Sequence, residues 1–320
     1  MTDEIRPNEK TDGIDRRGFL ECMAWAGSGV LWTIAGGVLS SKTFAQAATD
    51  NGSAAIRKGD LHFAQISDSH IGFNKPANPD VAGTLQSAIA KINALPVAPE
   101  FLLHTGDITH LAAAEQFDTS TQLLSSANAG RVFYVPGEHD VSGDNGKLYR
   151  ERYGKDAIGD GWYSFDKNGV HFIGLVNVMN FSANGLGTLG GQQLEWLEKD
   201  LKAHRSSTPI VVFAHIPLWM VFPDWGWGTS DSAQALTYLK RFGSVTVLNG
   251  HIHQTMQKVE GNITFHTATS TAFPQPAPGT AAGPGPMKVP ADKLRDVLGI
   301  TSVNYIKRSG RLAIVETSLD

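Results

Sequence analysis

Five short apolar, β-prone runs, at 61–67, 101–105, 132–136, 210–214 and 245–249, each lead straight into residues that bind metals. Those residues are Asp68-Ser69-His70, Gly106-Asp107, Gly137-Glu138-His139-Asp140, His215 and Gly250-His251-Ile252-His253. A strand that ends in such a residue is the pattern of an α/β sheet, which presents side chains from its strand ends into one shared crevice. Asp-x-His and His-x-His set two donors two residues apart, a spacing that sends both side chains to the same side of extended backbone. Imidazoles mixed with carboxylates suit Mn, Fe or Zn better than thiolate-seeking ions. The donors also outnumber what one tetrahedral ion needs, so two metals are expected.

The rest of the chain supplies the elements to build such a sheet. Helix-period apolar positions Val81, Leu85, Ala88, Ile89, Ile92 and Leu95 follow Pro79, and further helices are expected at 112–127, 146–153 and 192–203, the last with Leu194, Leu197 and Leu201 inward. Segments 162–166 and 170–176 alternate around Lys167-Asn168-Gly169 and read as a hairpin, while 263–267, 302–307 and 312–317 read as C-terminal strands. The Pro-, Gly- and Ala-rich segment 273–290 reads as a long loop, either a tolerated insertion or a flap.

The order and spacing of the donor motifs from residue 60 to 255 resemble the calcineurin-like metallophosphoesterase superfamily, and the Leu194-Glu195-Trp196-Leu197 segment resembles a helix common in its purple-acid-phosphatase-like and cyclic-nucleotide-phosphodiesterase-like members. The family's motifs run Asp-x-His, Gly-Asp, Gly-Asn-His-Asp/Glu, a lone His and Gly-His-x-His. Any one of these is uninformative; five in order behind apolar strands are specific. The resemblance implies a four-layer αββα sandwich of two mixed β-sheets flanked by helices. It also implies that Asp68, His70 and His253 hold one metal, that His215, His251 and residue 138 hold the other, and that Asp107 bridges them. His139 would be the proton donor or charge stabiliser beside the leaving group, with Asp140 orienting its ring. Two ions roughly 3.5–4 Å apart would turn a bridging water into the hydroxide nucleophile. The departure is Glu138, where the family has an amide. A third carboxylate brings the site from about +1 to about 0 once the hydroxide is counted, and trivalent iron at one position would restore the difference.

The N-terminus carries a second signal. Asp15-Arg16-Arg17-Gly18-Phe19-Leu20-Glu21 resembles a twin-arginine export motif, and an apolar stretch at 22–40 and a small-residue exit, Ala45-Gln46-Ala47, follow. Residues 1–47 are accordingly expected to be a signal peptide, and 48–320 a single metallophosphoesterase domain in the periplasm or outside the cell. A retained leader would make the stretch a membrane anchor, since it has about the length of a span. The one cysteine, Cys22, lies in this leader, so the remainder has no disulfide.

A formal net charge of −4 and the lack of any Lys/Arg-rich run argue against a nucleic-acid partner. The expected partners are a small phosphoester and the twin-arginine export machinery. Substrate contacts are sought in the aromatic tract at 219–227, which starts four residues after His215 and reads either as a pocket wall or as a buried plug. His104 reads as a strand residue and His110 as a donor behind the metal ligands. The function these readings support is hydrolysis of a phosphomonoester or phosphodiester; the alternative is a metal-binding protein on the same fold that does no catalysis.

Overall fold

The computed structural model describes residues 30–35, 38–43, 60–307 and 311–320. Most of the expected leader, and the link at 308–310 between the last two expected strands, lie outside these residues. Within the expected leader, β1 (Val30–Ala35) and β2 (Val38–Thr43) pair as an antiparallel ribbon, Val30 opposite Thr43. Among the described residues no helix is long and apolar enough to cross a membrane.

Two mixed sheets form the body. One has the order β13 (Arg311–Ser318), β12 (Gly299–Ile306), β3 (Leu61–Ile66), β4 (Phe101–His104) and β5 (Arg131–Tyr134). The other runs β10 (Gln257–Glu260), β11 (Ile263–Thr267), β9 (Val245–Asn249), β8 (Ile210–Phe213), β7 (Val170–Gly174) and β6 (Tyr163–Lys167). Strands β3, β4 and β5 are parallel, as are β7, β8, β9 and β11, so the expected donor residues all leave the same kind of strand end.

The sheets face each other across Phe63, Phe101 and Leu103 on one side and Phe172, Val211 and Phe213 on the other, with the Phe63 and Phe172 rings edge to face at 5.4 Å. Full burial of each such side chain contributes roughly 1.5–3 kcal/mol. Both faces of the central parallel strands must be covered, which is why those strands read as mainly apolar runs. Outside the first sheet lie α1 (Val81–Asn93) and α2 (Ala114–Leu124); outside the second lie α4 (Gly191–Lys202) and α5 (Ser232–Leu239). A short α3 (Lys147–Tyr153) sits near the crevice. This is the expected αββα sandwich.

Local chemistry sets the boundaries. The Asp80 carboxylate accepts the Gly83 N–H at 2.9 Å and starts α1, burying the expected apolar stripe as far as Ile92. Leu95 falls beyond the helix, in a turn ahead of Pro96. Leu194, Leu197 and Leu201 of α4 are buried as expected. Strand β10 went unseen in the sequence because all four of its residues are exposed, leaving no alternation to read.

Candidate metal centre

The donors converge at the strand ends. In one cluster the His253 Nε2 lies 3.3 Å from the Asp68 Oδ1 and 3.3 Å from the His70 Nε2. In the other, the His215 Nε2 is 2.9 Å from the Glu138 Oε2, and the His251 Nδ1 is 3.0 Å from the Glu138 Oε1 and 3.3 Å from the His215 Nε2. A single oxygen joins them: the Asp107 Oδ2 stands 3.4 Å from the His70 Nε2 and 3.5 Å from the His215 Nε2. Ligand atoms about 2.1 Å from a shared ion stand about 3.0–3.4 Å from one another, so both clusters have the dimensions of a metal site.

Backbone carbonyls aim the rings. The His215 Nδ1–H donates to the Thr105 carbonyl at 2.7 Å, and the His253 Nδ1–H to the Phe273 carbonyl at 2.6 Å. Each ring is thereby held in the tautomer whose Nε2 lone pair faces the carboxylates, an arrangement that suits a cation between them. The buried Glu138 Oε2 has no hydrogen-bond partner of its own, which fits the same role. Burial drives His70 down to about 3, keeping it a neutral ligand. Burial would also lower His215, yet Asp107 and Glu138 raise it well above the ordinary imidazole value. Those carboxylates demand positive charge at Nε2, which a divalent cation meets as well as a proton does. The residues therefore fit two metal ions.

The convergence does not come from extended backbone, contrary to the simplest reading of the spacing. Among the described residues eight non-glycines have positive φ, and five of them are Asp68 (55°), His70 (42°), Asp107 (51°), His251 (71°) and His253 (54°). Left-handed backbone of this kind is costly for such residues and persists where the surroundings enforce it. It also sends the two histidines of His251-Ile252-His253 to different clusters. The motif glycines leave room for the ligands: a Cβ on Gly106 (φ 98°) would stand 2.5 Å from the His215 Nδ1, and one on Gly137 would collide with the Asp107 carboxylate.

A calcineurin-like phosphoesterase family model matches residues 61–255, the segment that supplies every one of these donors. The chain belongs to that family. Among relatives, it is 26% identical over 220 residues to the zebrafish (Danio rerio) serine/threonine-protein phosphatase CPPED1, covering 61% of this chain and 71% of the relative. It is 25% identical over 219 residues to a 3′,5′-cyclic-nucleotide phosphodiesterase of Nostoc, covering 67% and 79%. The fold is also that of a dimetal phosphatase structure from Danio rerio, with a TM-score of 0.60 at 15% identity over 81% of this chain and 96% of that one.

Beside the two clusters of this calcineurin-like site sits His139, its Nδ1–H donated to the His110 carbonyl at 2.8 Å and its ring 4.8 Å from that of His70. The expectation that Asp140 orients this ring is not met. Asp140 is buried and its carboxylate accepts the N–H groups of Gly137 (2.9 Å), Ile108 (3.0 Å) and Thr109 (2.8 Å) together with the Thr109 hydroxyl (2.9 Å). It ties the Gly106-Asp107 turn to the Gly137-Glu138 turn, and so positions two ligands instead of one ring. Burial and the Asp107 charge push its carboxyl up to about 7 against the pull of those N–H groups. His104 is a buried strand residue, its Nε2 2.9 Å from the Ser69 Oγ and its pKa lowered by burial to about 4. His110 places its Nδ1 3.4 Å from the His70 Nδ1, behind a ligand as expected.

The clusters open into a cavity of about 390 Å³. The aromatic tract at 219–227 turns out to serve both roles: Trp219 is buried against Phe265, ring centroids 5.1 Å apart, while Trp225 and Trp227 line the cavity. The loop at 273–290 is a structural wall. Phe273 stacks on His70 with centroids 4.8 Å apart, the Gln275 side chain donates to the His251 carbonyl at 3.3 Å, and Pro284 and Pro286 complete the rim. Phe273, Thr105 and Gln275 were not among the sequence-derived site residues. Thr105 and Phe273 act through backbone carbonyls and Gln275 through a bond to a residue 24 positions back, and none of the three leaves a motif.

Proposed function

We propose that this chain hydrolyses a small phosphomonoester or phosphodiester with a pair of metal ions held by Asp68, His70, His253, Asp107, Glu138, His215 and His251. The observation that carries the reading is the shared Asp107 oxygen, within 3.5 Å of a histidine nitrogen from each cluster. When bound, such ions supply Lewis acidity toward water and toward phosphoryl oxygens. The chain's own residues do the rest. Asp107 and Glu138 fix the spacing and total charge of the centre. Burial would lower His139, but Asp107 and Glu138 outweigh it and raise the ring's affinity for a proton; with Nδ1 committed to the His110 carbonyl, Nε2 is the atom that can hand that proton to a leaving oxygen. The apolar cavity walls exclude water from the ester's organic part. The donor set is compatible with a pair of divalent Fe, Mn or Zn ions.

We further propose that the enzyme works in the periplasm or outside the cell, delivered by the twin-arginine machinery; the Arg16-Arg17 motif, the small-residue exit at Ala45-Gln46-Ala47 and the confinement of Cys22 to the leader support this. Elemental analysis of the purified chain alongside turnover of a bis-aryl and a mono-aryl phosphate tests the catalytic reading. Two equivalents of metal and chelator-sensitive hydrolysis are expected. Stoichiometric metal with no hydrolysis of either ester would refute it.

A further inference from the structure

We propose that the preferred substrate is a phosphodiester monoanion bearing two flat or apolar groups, and that Glu138 together with the two apolar walls selects it over monoester dianions. The inference rests on the hydrolase reading above and deepens it.

The first support is charge. Asp68, Asp107 and Glu138 are three carboxylates aimed at two cation positions, so before any hydroxide is counted two divalent ions keep about one unit of positive charge in excess, where a site with an amide at 138 would keep about two. One unit matches a diester and underserves a dianion. The cavity adds little: Lys75 is the single lysine or arginine on its wall among the described residues, and it sits on the exposed rim.

The second support is shape. A diester carries two organic groups, a monoester one, and the cavity has two separate apolar walls. Phe73 and Phe273, ring centroids 4.4 Å apart, form one wall on the His70–His253 cluster, Phe273 stacking on both of those rings at 4.8 Å. Phe181, Trp225 and Trp227 form the other, on the loops after β7 and β8, and β8 is the strand that leads into His215. Those two loops are tied together by the Gly187 N–H, which donates to the Gly228 carbonyl at 3.1 Å, so the second wall is a built surface. Phe181 is 47% exposed, an aromatic ring left open at the mouth of the cavity. Each wall is placed to receive one ester substituent from a phosphate seated between the clusters.

The test uses two anions with no ester bond to cleave: diphenylphosphinate, a monoanion with two rings, and phenylphosphonate, a dianion at pH 8 with one. Calorimetric binding to the metal-replete full chain should favour the phosphinate by about tenfold or more. Glu138→Asn should shrink that preference about tenfold by strengthening the dianion, with metal content checked by elemental analysis. Trp225→Ala should weaken the phosphinate about tenfold and leave inorganic phosphate within about twofold. Should Glu138→Asn lose metal, the wild-type preference and Trp225→Ala still decide. Equal or tighter binding of phenylphosphonate by the wild type overturns the proposal and leaves the hydrolase reading standing; failure of the metal-replete chain to bind either anion or phosphate overturns both.

Discussion

Replacing Asp107 by Asn tests the dinuclear centre most directly, because the structure predicts what the change spares as well as what it removes. Asn tolerates left-handed backbone, so the φ of 51° at this position is kept. The other carboxylate oxygen, Oδ1, accepts the His139 N–H at 3.0 Å, and an amide oxygen can take over that bond. Doing so turns the NH2 toward both cation positions, where Oδ2 now lies 3.4 and 3.5 Å from the His70 and His215 nitrogens. Flipping the amide instead would set two donors face to face at His139. Even counting each ion as a unit charge, the lost attraction is about 4 kcal/mol at 4 Å and an effective dielectric of about 20. Relief from desolvating a buried carboxylate returns part of this, which leaves about 3 kcal/mol, or about a hundredfold in affinity, at each position. After dialysis against a mild chelator the variant should hold less than half an equivalent of metal by elemental analysis, unfold at a temperature no lower than the metal-free wild type, and show no turnover. Two retained equivalents with normal turnover would refute the bridging assignment.

Other perturbations separate the remaining roles. His139→Ala should lower kcat by about 10²–10⁴ with both metals kept, measured on an aryl phosphate beside elemental analysis; loss of metal instead would make His139 a ligand. Asp140→Ala, which strands three buried N–H groups, should cost about 2–5 kcal/mol in chemical denaturation, whereas a residue that merely oriented the His139 ring would leave stability nearly unchanged. His171 bridges β7 to Asp166 (3.0 Å) and to Asp200 of α4 (2.8 Å); burial opposes its charge, but the two carboxylates raise its pKa, with the His204 ring stacked 3.7 Å away. Its stabilisation is therefore full below about pH 6.5 and lost as pH rises through the raised value, so the melting-temperature gap between wild type and His171→Gln should narrow from pH 5.5 to 9. Arg16→Lys with Arg17→Lys should leave the precursor in the cytoplasm with its metals bound, as fractionation and immunoblotting would show; normal export of that variant would remove the leader assignment.

The parts of this molecule that were legible in its sequence are those where one local rule dominates. Four of the strands that lead into the donors are buried along their whole length, so 61–66, 101–104, 210–213 and 245–249 appear as mainly apolar runs, and α1 and α4 carry their buried stripes at helical spacing. Strand β10 was invisible because an exposed edge imposes no such pattern. The convergence of the residues at 68, 70, 107, 215, 251 and 253 was legible too, since the residue types that suit metal chemistry are few. What surrounds the donors was not. The carbonyls of Thr105 and Phe273 that fix two imidazole tautomers belong to backbone, which any residue supplies.

Asp140 stands where its motif places it, beside the donor clusters, but bonds to other partners than its neighbour. Its position next to His139 suggested that it serves its neighbour, but a turn at Glu138–Asp140 directs consecutive side chains apart, so the carboxylate reaches 32 and 31 residues back in the chain to the N–H groups of Ile108 and Thr109. The same displacement ties the turn in which Asp107 holds left-handed backbone to the turn that carries Glu138. Strain of that kind is sustained by hydrogen bonds made elsewhere. In this centre the residues that enforce the geometry, Asp140 and the carbonyls behind the histidines, lie outside the ligand set, and damage to them should appear first as lost stability and only then as lost metal.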